Sequence, residues 1–340
     1  MAEGLIAQPK SAWRMEDVGN KYINELLSRS FLQVEKKKDC FVMPDLLHDL
    51  AQYVAGEFTC TLEDDLQQKV SAKTRYVSFP GNKNVIAGRL DDSTELVQLR
   101  TFLFCKSSVI HLSSTTEELF NVSELLPKLK RLRALSLSCY HMDRMTDSIG
   151  KPKYLRYLDL SYTSITQLPY DVGSLYNLET LLLSHCSRLK DLPSNLCKLV
   201  NLRCLDINGT KLSEMPLNFN ELKALQVLTD FFIGRDSGSQ VSELGELSEL
   251  HGSLTLTNLQ NVIDAADASL TNLKSKKYLV KLQFKWTTVN HDIQNETDVL
   301  HLLQPHEYLK KLIIKNFGGS LPIWLGNSLL SNLVFLNLID

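Results

Sequence analysis

The sequence predicts an α/β solenoid in which short parallel strands line one concave face, preceded by a small helical module. Three observations support this prediction: a six-residue leucine phrase recurs, its spacing is nearly constant, and the first 57 residues lack it. The clearest copies begin at Leu155, Leu178 and Leu202, and each has the form L-x-x-L-x-L. Alternate residues of a strand point to the same side, so each copy is expected to bury one face.

The repeat extends in both directions from that centre. Further copies, some with longer spacers, begin at Leu99, Leu132, Leu225, Leu254, Leu279, Leu309 and Leu333. After the central strands a second apolar phrase ends in Pro169, Pro193 or Pro216 and is predicted to return the chain along the outer side. One repeat of this size cannot bury its apolar face alone, so the copies must stack. We therefore expect a leucine-rich-repeat horseshoe over residues 96–340, truncated at its C-terminal end.

The first 57 residues predict a helix, a β-hairpin and a second helix. An apolar stripe over residues 17–29 indicates an amphipathic helix, and two short apolar runs around a charged turn indicate a hairpin. Residues 45–55 have the apolar spacing of another helix. Together these elements resemble part of a winged-helix module. Residues 58–95 are rich in charge and turn formers and are predicted to be a connector, with residues 75–79 as one strand that leads into the solenoid.

Composition disfavours several classes of protein. The chain has 340 residues, 44% of them hydrophobic, and a net charge of −2, which gives no support for general attraction to nucleic acid or membranes. Its seven cysteines include no C-x-x-C pair and are interpreted as reduced packing residues. No apolar run approaches the length of a transmembrane helix, and no signal peptide is evident. We expect a cytoplasmic protein, with the nucleus or the periphery of the plasma membrane as alternatives.

Catalytic patterns are absent from the sequence. No nucleophile motif is present, and His301 and His306 lack the spacing of metal ligands. His48 and Asp49 are adjacent in a predicted helix, so their side chains point in different directions. We therefore expect no enzymatic activity and no metal site.

The concave face offers a candidate binding surface. In the strand register, one outward column holds Arg133, Arg156, Glu179, Arg203 and Gln226. Asp159 and Asp206 stand in a second column further along the strands. Neighbouring strands lie about 4.8 Å apart, so the two columns form a ladder of charges suited to a charged protein surface. The alternative is a solvated strand face whose mutual ion pairs contribute little.

Several segments resemble the end of the nucleotide-binding region, and the repeats, of plant coiled-coil-type NLR disease-resistance proteins. The resemblance runs in one order through residues 1–6, 16–31, 41–51, 231–239, 251–262 and 322–326. It implies the end of a winged-helix (NB-ARC) domain followed by leucine-rich repeats. It also implies a role in innate immunity: an ADP/ATP-switched module is held inactive, partly by the repeats, until a pathogen effector or a guarded host protein is sensed. The implied partners are the effector, the host protein or the NB-ARC module, with no nucleic acid.

The chain departs from that family at its nucleotide site. No G-x-x-x-x-G-K-[ST] loop is present to cradle phosphates, so no cofactor is expected in this chain although the family implies ADP or ATP. The family's Met-His-Asp motif falls on Met43, Pro44 and Asp45, where proline offers neither a side-chain donor nor a backbone N–H. We expect a receptor fragment with this degenerate remnant and no switch of its own.

Two alternatives remain open at the level of the sequence. One is a general leucine-rich-repeat adaptor, such as the substrate-reading subunit of a ubiquitin ligase. The other is a non-functional product of a truncated gene. The first 57 residues favour the receptor over the adaptor, because an adaptor would need an F-box-like docking module in their place.

Overall fold

The structure is a computed structural model, and it begins with the predicted helical module. It describes residues 1–6, 14–35, 40–62, 70–79, 96–104, 122–235, 239–287, 292–326 and 328–339. The module consists of α1 Met15–Ser28, β1 Gln33–Glu35, β2 Cys40–Val42 and α2 Asp45–Ala55. Strands β1 and β2 pair antiparallel, as expected for the hairpin.

Local hydrogen bonds explain the ends of both helices. The backbone N–H of Arg14 donates to Asp17 Oδ2 at 3.2 Å, which starts α1 with a carboxylate in its first turn. The helix stops where Ser30 takes a φ of +60° and the N–H of Phe31 donates to the Leu26 carbonyl at 2.9 Å. Pro44 directly precedes α2, where a missing N–H costs nothing.

An eight-stranded parallel sheet forms the first and longer part of the solenoid. Its strands are β3 Thr59–Thr61, β4 Tyr76–Phe79, β5 Thr101–Phe104, β6 Ala134–Ser136, β7 Tyr157–Asp159, β8 Thr180–Leu182, β9 Cys204–Asp206 and β10 Val227–Leu228. Leu158, Leu181 and Leu205 align across three strands and are fully buried. The predicted leucine-rich-repeat solenoid is confirmed.

The sheet starts earlier than the sequence suggested. Strands β3 and β4 both come from residues 58–95, which were predicted to be a connector, and they pair in parallel with each other and with β5. Val77 and Phe79 fill the buried positions that leucines occupy in later repeats. The strand predicted at residues 75–79 is present as β4, whereas β3 lies in the segment predicted to be a connector, because its residues lack the leucines that mark the repeat.

A second parallel sheet of five strands continues the solenoid. Its strands are β11 Asp230–Phe232, β12 Gly252–Thr257, β13 Leu279–Lys285, β14 Lys311–Lys315 and β15 Phe335–Ile339. The two sheets meet at residues 227–232, where Val227 and Leu228 pair backward with β9 and the next strand pairs forward with β12. Helix α3 Val122–Leu125 lies between β5 and β6 of the first sheet, and the longer spacers of the second half contain the helices α4 Ala265–Leu270, α5 Ile293–Leu302 and α6 Ile323–Gly326.

Short 3₁₀ turns and polar caps form the bends and the outer side. The turns include Tyr170–Ser174 and Ser194–Lys198. The hydroxyl of Thr163 donates to the Leu160 carbonyl at 2.7 Å, and the Cys186 thiol donates to the same oxygen at 3.1 Å. These small polar side chains satisfy a backbone carbonyl at the bend.

Apolar surface remains exposed at both ends of the structure. No residue of α2 is buried, and Leu46 and Val54 are 82% and 74% exposed. At the other end, Leu336 and Leu338 of β15 occupy inward positions yet are 44% and 47% exposed. Both elements therefore present faces that a packed neighbour would cover.

Candidate binding surface on the concave face

The predicted arginine column exists as a continuous row at the beginning of the strands. Each residue's backbone N–H donates to the carbonyl of the equivalent residue one repeat earlier. The N–H of Glu179 donates to the Arg156 carbonyl at 2.8 Å, and the N–H of Arg203 donates to the Glu179 carbonyl at 2.8 Å. The N–H of Gln226 donates to the Arg203 carbonyl at 2.7 Å. Arg156 bonds Arg133 in the same way at 2.8 Å. The strand ladder thus holds these side chains one strand spacing apart.

Two further arginines, which the sequence analysis missed, extend this row. The N–H of Arg133 donates to Arg100 O at 2.7 Å, and that of Arg100 donates to Arg75 O at 2.8 Å. We call Arg75, Arg100, Arg133, Arg156 and Arg203 the arginine column. The sequence carries a signal for Arg100, because it follows the first leucine of its phrase as Arg133 does. Arg75 precedes a strand without leucines, so the phrase could not reveal it.

Pairing within the column is modest. Arg156 Nη1 donates to Glu179 Oε1 at 3.1 Å, and Arg203 Nη2 donates to Gln226 Oε1 at 3.1 Å. The Arg156 side chain is 44% exposed. Ion pairs this exposed contribute about 0.2–1 kcal/mol, so they leave the guanidinium groups available to a partner at little cost.

The chain's own N-terminal residues lie on the arginine column. Arg133 Nη1 donates to the Glu3 carbonyl at 3.1 Å, and the Thr101 hydroxyl donates to the Glu3 carboxylate. Arg203 Nη2 lies 3.6 Å from Glu16 Oε2, and Met15 beside it is only 8% exposed. The winged-helix segment therefore contacts the face that was predicted to bind a charged protein surface.

The aspartates of the predicted second column accept hydrogen bonds at the ends of their strands. Asp159 accepts hydrogen bonds from Ser136 Oγ at 3.1 Å and from the Ser161 N–H at 2.9 Å. Asp206 accepts from the Asn208 N–H at 3.0 Å. Burial, and then the nearby Asp159 carboxylate, raise the pKa of Tyr157. These aspartates therefore fix the turn that follows each strand. Because they are only partly exposed, they contribute less to any binding surface than the arginine column does.

The described residues of this surface include neither a reactive thiol nor a cluster of metal ligands. Burial, followed by the carboxylates of Asp206 and Glu16, raises the pKa of the Cys204 thiol to about 11, so this thiol is protonated at neutral pH. Within the described residues, no three His, Cys, Asp or Glu side chains are grouped to hold a metal ion. No helix in the described parts of the chain has the length and apolar character needed to cross a bilayer.

The three residues that were predicted to be a remnant of the Met-His-Asp motif lie at the start of α2. Met43 and Pro44 are half-buried and Asp45 is exposed. The Pro44 carbonyl accepts a hydrogen bond from the His48 N–H at 2.9 Å, which is the first backbone hydrogen bond of the helix. Pro44 has a role in the backbone here, and its ring brings no hydrogen-bond donor to the site.

Stacked parallel strands with an open, charged concave face define a repeat domain of the kind that mediates protein–protein interaction. This chain belongs to the leucine-rich repeat family: the family described as "Leucine-rich repeat region" matches residues 105–339. A second family, "Disease resistance protein Winged helix domain", matches residues 1–51. The predicted resemblance to plant disease-resistance proteins is confirmed.

Relatives of the chain are plant proteins named for disease resistance. RPP13-like protein 1 of Arabidopsis thaliana is 41% identical over 349 residues, covering 99% of this chain and 33% of the relative. Disease resistance protein RGA2 of Solanum bulbocastanum is 33% identical over 346 residues, covering 98% of this chain and 31% of the relative. The chain thus spans about a third of the length of these relatives. A leucine-rich-repeat protein of Leptospira interrogans superposes with a TM-score of 0.45 at 17% identity, over 85% of this chain and 86% of that protein.

Proposed function

We propose that this chain is the recognition segment of an NLR-type plant resistance receptor and that its arginine column binds a protein partner. The arginine column is the observation that supports this proposal most directly, because guanidinium groups in register suit carboxylate-bearing protein surfaces. The candidate partners are a pathogen effector, a guarded host protein or the receptor's NB-ARC module. The winged-helix match at residues 1–51 favours a receptor over a ubiquitin-ligase adaptor.

The N-terminal contacts suggest how recognition is coupled to inhibition. Glu3 and Glu16 lie against Arg133 and Arg203, the same side chains that a partner with surface carboxylates would use. Partner binding and docking of the winged-helix segment are then mutually exclusive. In a complete receptor, a partner that displaced this segment would loosen the hold of the repeats on the nucleotide module.

Charge reversal within the arginine column tests the proposal. The double variant Arg156→Glu with Arg203→Glu should lose the proteins that the unaltered chain captures from extracts of infected and of healthy leaves. Circular dichroism should still show a folded solenoid, because both side chains are outside the core and partly exposed, while Arg203→Glu should release Glu16 of the winged-helix segment.

Arg144→Glu with Arg188→Glu is the matched control, since both arginines are exposed and lie outside the column. It should retain the captured proteins. The proposal fails if both double variants lose them equally, or if the column variant keeps them.

The proposed function of this chain does not involve nucleotide binding. Without the phosphate loop, and with Pro44 in place of the histidine, the chain should bind ATP or ADP no better than background. Titration with a fluorescent nucleotide checks this, and saturable micromolar binding would contradict it. We further propose a cytoplasmic location, which a fluorescent fusion in leaf cells would test.

A further inference from the structure

The second sheet carries a basic cluster on its concave side. Strands β13 and β14 place lysines at the same two positions, so Lys281 pairs in register with Lys311 and Lys285 with Lys315. We call these four residues the lysine patch. It lies on a different sheet from the arginine column and was not singled out from the sequence, although both strands begin a copy of the leucine phrase.

Strand alternation fixes where these side chains point. Leu282 and Phe284, which alternate with the lysines of β13, are at most 1% exposed and face the core. The lysines therefore face the open side of the sheet, where Lys311 is exposed and the other three are half-buried. The chain's net charge of −2 conceals this local concentration of positive charge.

The lysine patch is not neutralised within the described chain. Like charges directly opposite on neighbouring strands are destabilising. Among the described residues, the ion pairs within 4.0 Å include none with a lysine of the patch. An external anionic group would relieve the repulsion within both lysine pairs.

One oxygen of a carboxylate at the border of the patch also lacks a hydrogen-bond partner. Asp230 lies in the same row as Gln283 and Ile313, is 9% exposed, and has no hydrogen-bond partner for Oδ2 among the described residues. Burial raises the pKa of Asp230, and hydrogen bonding by Thr229, the charge of Lys285 and hydrogen bonding by Asn208 act in the opposite direction. A buried carboxylate oxygen without a partner is costly, and a donor such as a peptide N–H from an incoming chain would satisfy it.

The dimensions of the patch match an extended protein segment. Lys281 and Lys285 are four residues apart, which is about 13 Å along a strand. Between the two lysine pairs lies Ile313, and β15 adds the exposed Phe335 and Ile339 beside them. An extended segment with acidic side chains about 13 Å apart and apolar residues between them would be complementary in both charge and shape.

We propose that the lysine patch binds an acidic, extended segment of a partner protein. This rests on the proposed function only in treating the concave face as a binding surface. A peptide is favoured over a nucleic acid, because single strands are held by aromatic stacking and Phe335 is the one aromatic residue on the concave side of strands β13, β14 and β15.

Peptide binding by the whole chain tests this inference. A fluorescent glutamate-rich peptide with isoleucine at its centre should bind saturably, and its glutamine counterpart should not. Charge reversal of the patch, Lys281→Glu with Lys285→Glu, Lys311→Glu and Lys315→Glu, should weaken binding at least about tenfold. Affinity should also fall as the salt concentration rises, because screening weakens exposed charge pairs.

The matched control changes four exposed lysines in the turns outside the strands: Lys128→Glu, Lys190→Glu, Lys198→Glu and Lys274→Glu. It has the same net charge as the patch variant and should bind the peptide as the unaltered chain does. Equal loss in both variants would overturn the inference, as would tighter binding of a single-stranded oligonucleotide or of inorganic tripolyphosphate. Circular dichroism of both variants separates loss of binding from loss of fold. Failure here would leave the arginine-column test unaffected, because that test changes other strands.

Discussion

At the scale of single residues, Lys276 is the most buried charge described in the chain. It is 1% exposed, and its ammonium donates one hydrogen bond to the Leu247 carbonyl at 2.8 Å. Burial lowers the pKa of Lys276 to about 8, and Glu246 only partly opposes that effect. The lysine satisfies a carbonyl that would otherwise be buried without a donor, at the cost of removing an ammonium from water.

Stability should therefore depend on pH through Lys276. Its folded pKa, about 8, lies below the ordinary value of 10.5, so folding releases a proton between these pH values. Below about pH 8 the full penalty of burying the charge is present, and it disappears as pH rises toward 10.5. The free energy of unfolding of the unaltered chain should rise relative to that of Lys276→Met over this window. Urea unfolding of both proteins at several pH values measures the difference, and parallel pH profiles would contradict the prediction.

At the scale of elements, the turn after each central strand uses a left-handed residue. Cys139, Tyr162, His185 and Gly209 have φ values of +60°, +60°, +58° and +72°. The N–H groups of the first three extend the parallel ladder beyond the strands, as in the bond from Tyr162 to the Ser184 carbonyl at 2.8 Å. Tyr162 and His185 also stack with their ring centroids 4.7 Å apart. The equivalent position in the next repeat is Gly209. It lies so close to the His185 ring that there is no room for a side chain.

Gly209→Ala should destabilise the protein by about 1–2 kcal/mol, because an L-residue is strained at positive φ. A Cβ there would also lie 2.7 Å from His185 Nδ1 and push the ring out of its stack. Gly326→Ala is the control, since no atom lies within 4 Å of its added Cβ. Chemical denaturation should separate the two variants, and equal midpoints would show that the turn tolerates a side chain.

At the scale of the whole molecule, the solenoid is well packed at its centre and open at its end. Leu158, Leu181 and Leu205 have no exposed surface, whereas Leu336 and Leu338 of the last strand are nearly half exposed. Each repeat in such an array is stabilised mainly by its neighbours. A strand with a neighbour on only one side should open more easily than one between two others.

Native-state hydrogen exchange should therefore follow position along the solenoid. Amides of β7 to β9 should exchange slowest, and those of β15 should exchange fastest among the strands of the second sheet. Mass spectrometry of peptic fragments resolves these segments. Uniform protection from β11 to β15 would show that the last strand is held by contacts other than stacking.

The repeat was predictable from the sequence because its signal is local and regular. Leucines at fixed spacing determined the central strands and their register, which placed Arg133, Arg156 and Arg203 in one column. Strand β3 escaped prediction because Thr59–Thr61 carries no leucine phrase, whereas the apolar residues Val77 and Phe79 still indicated β4.

By itself, the sequence determined a stacked strand array and the order of side chains on its concave face, because strand alternation and a constant period follow from local chemistry. Only the tertiary structure decided what touches that face. The contacts of Glu3 with Arg133 and of Glu16 with Arg203 join residues more than a hundred positions apart, and no periodicity encodes them. The same holds for the junction of the two sheets beside Asp230, because it depends on how neighbouring repeats pack and share their strands.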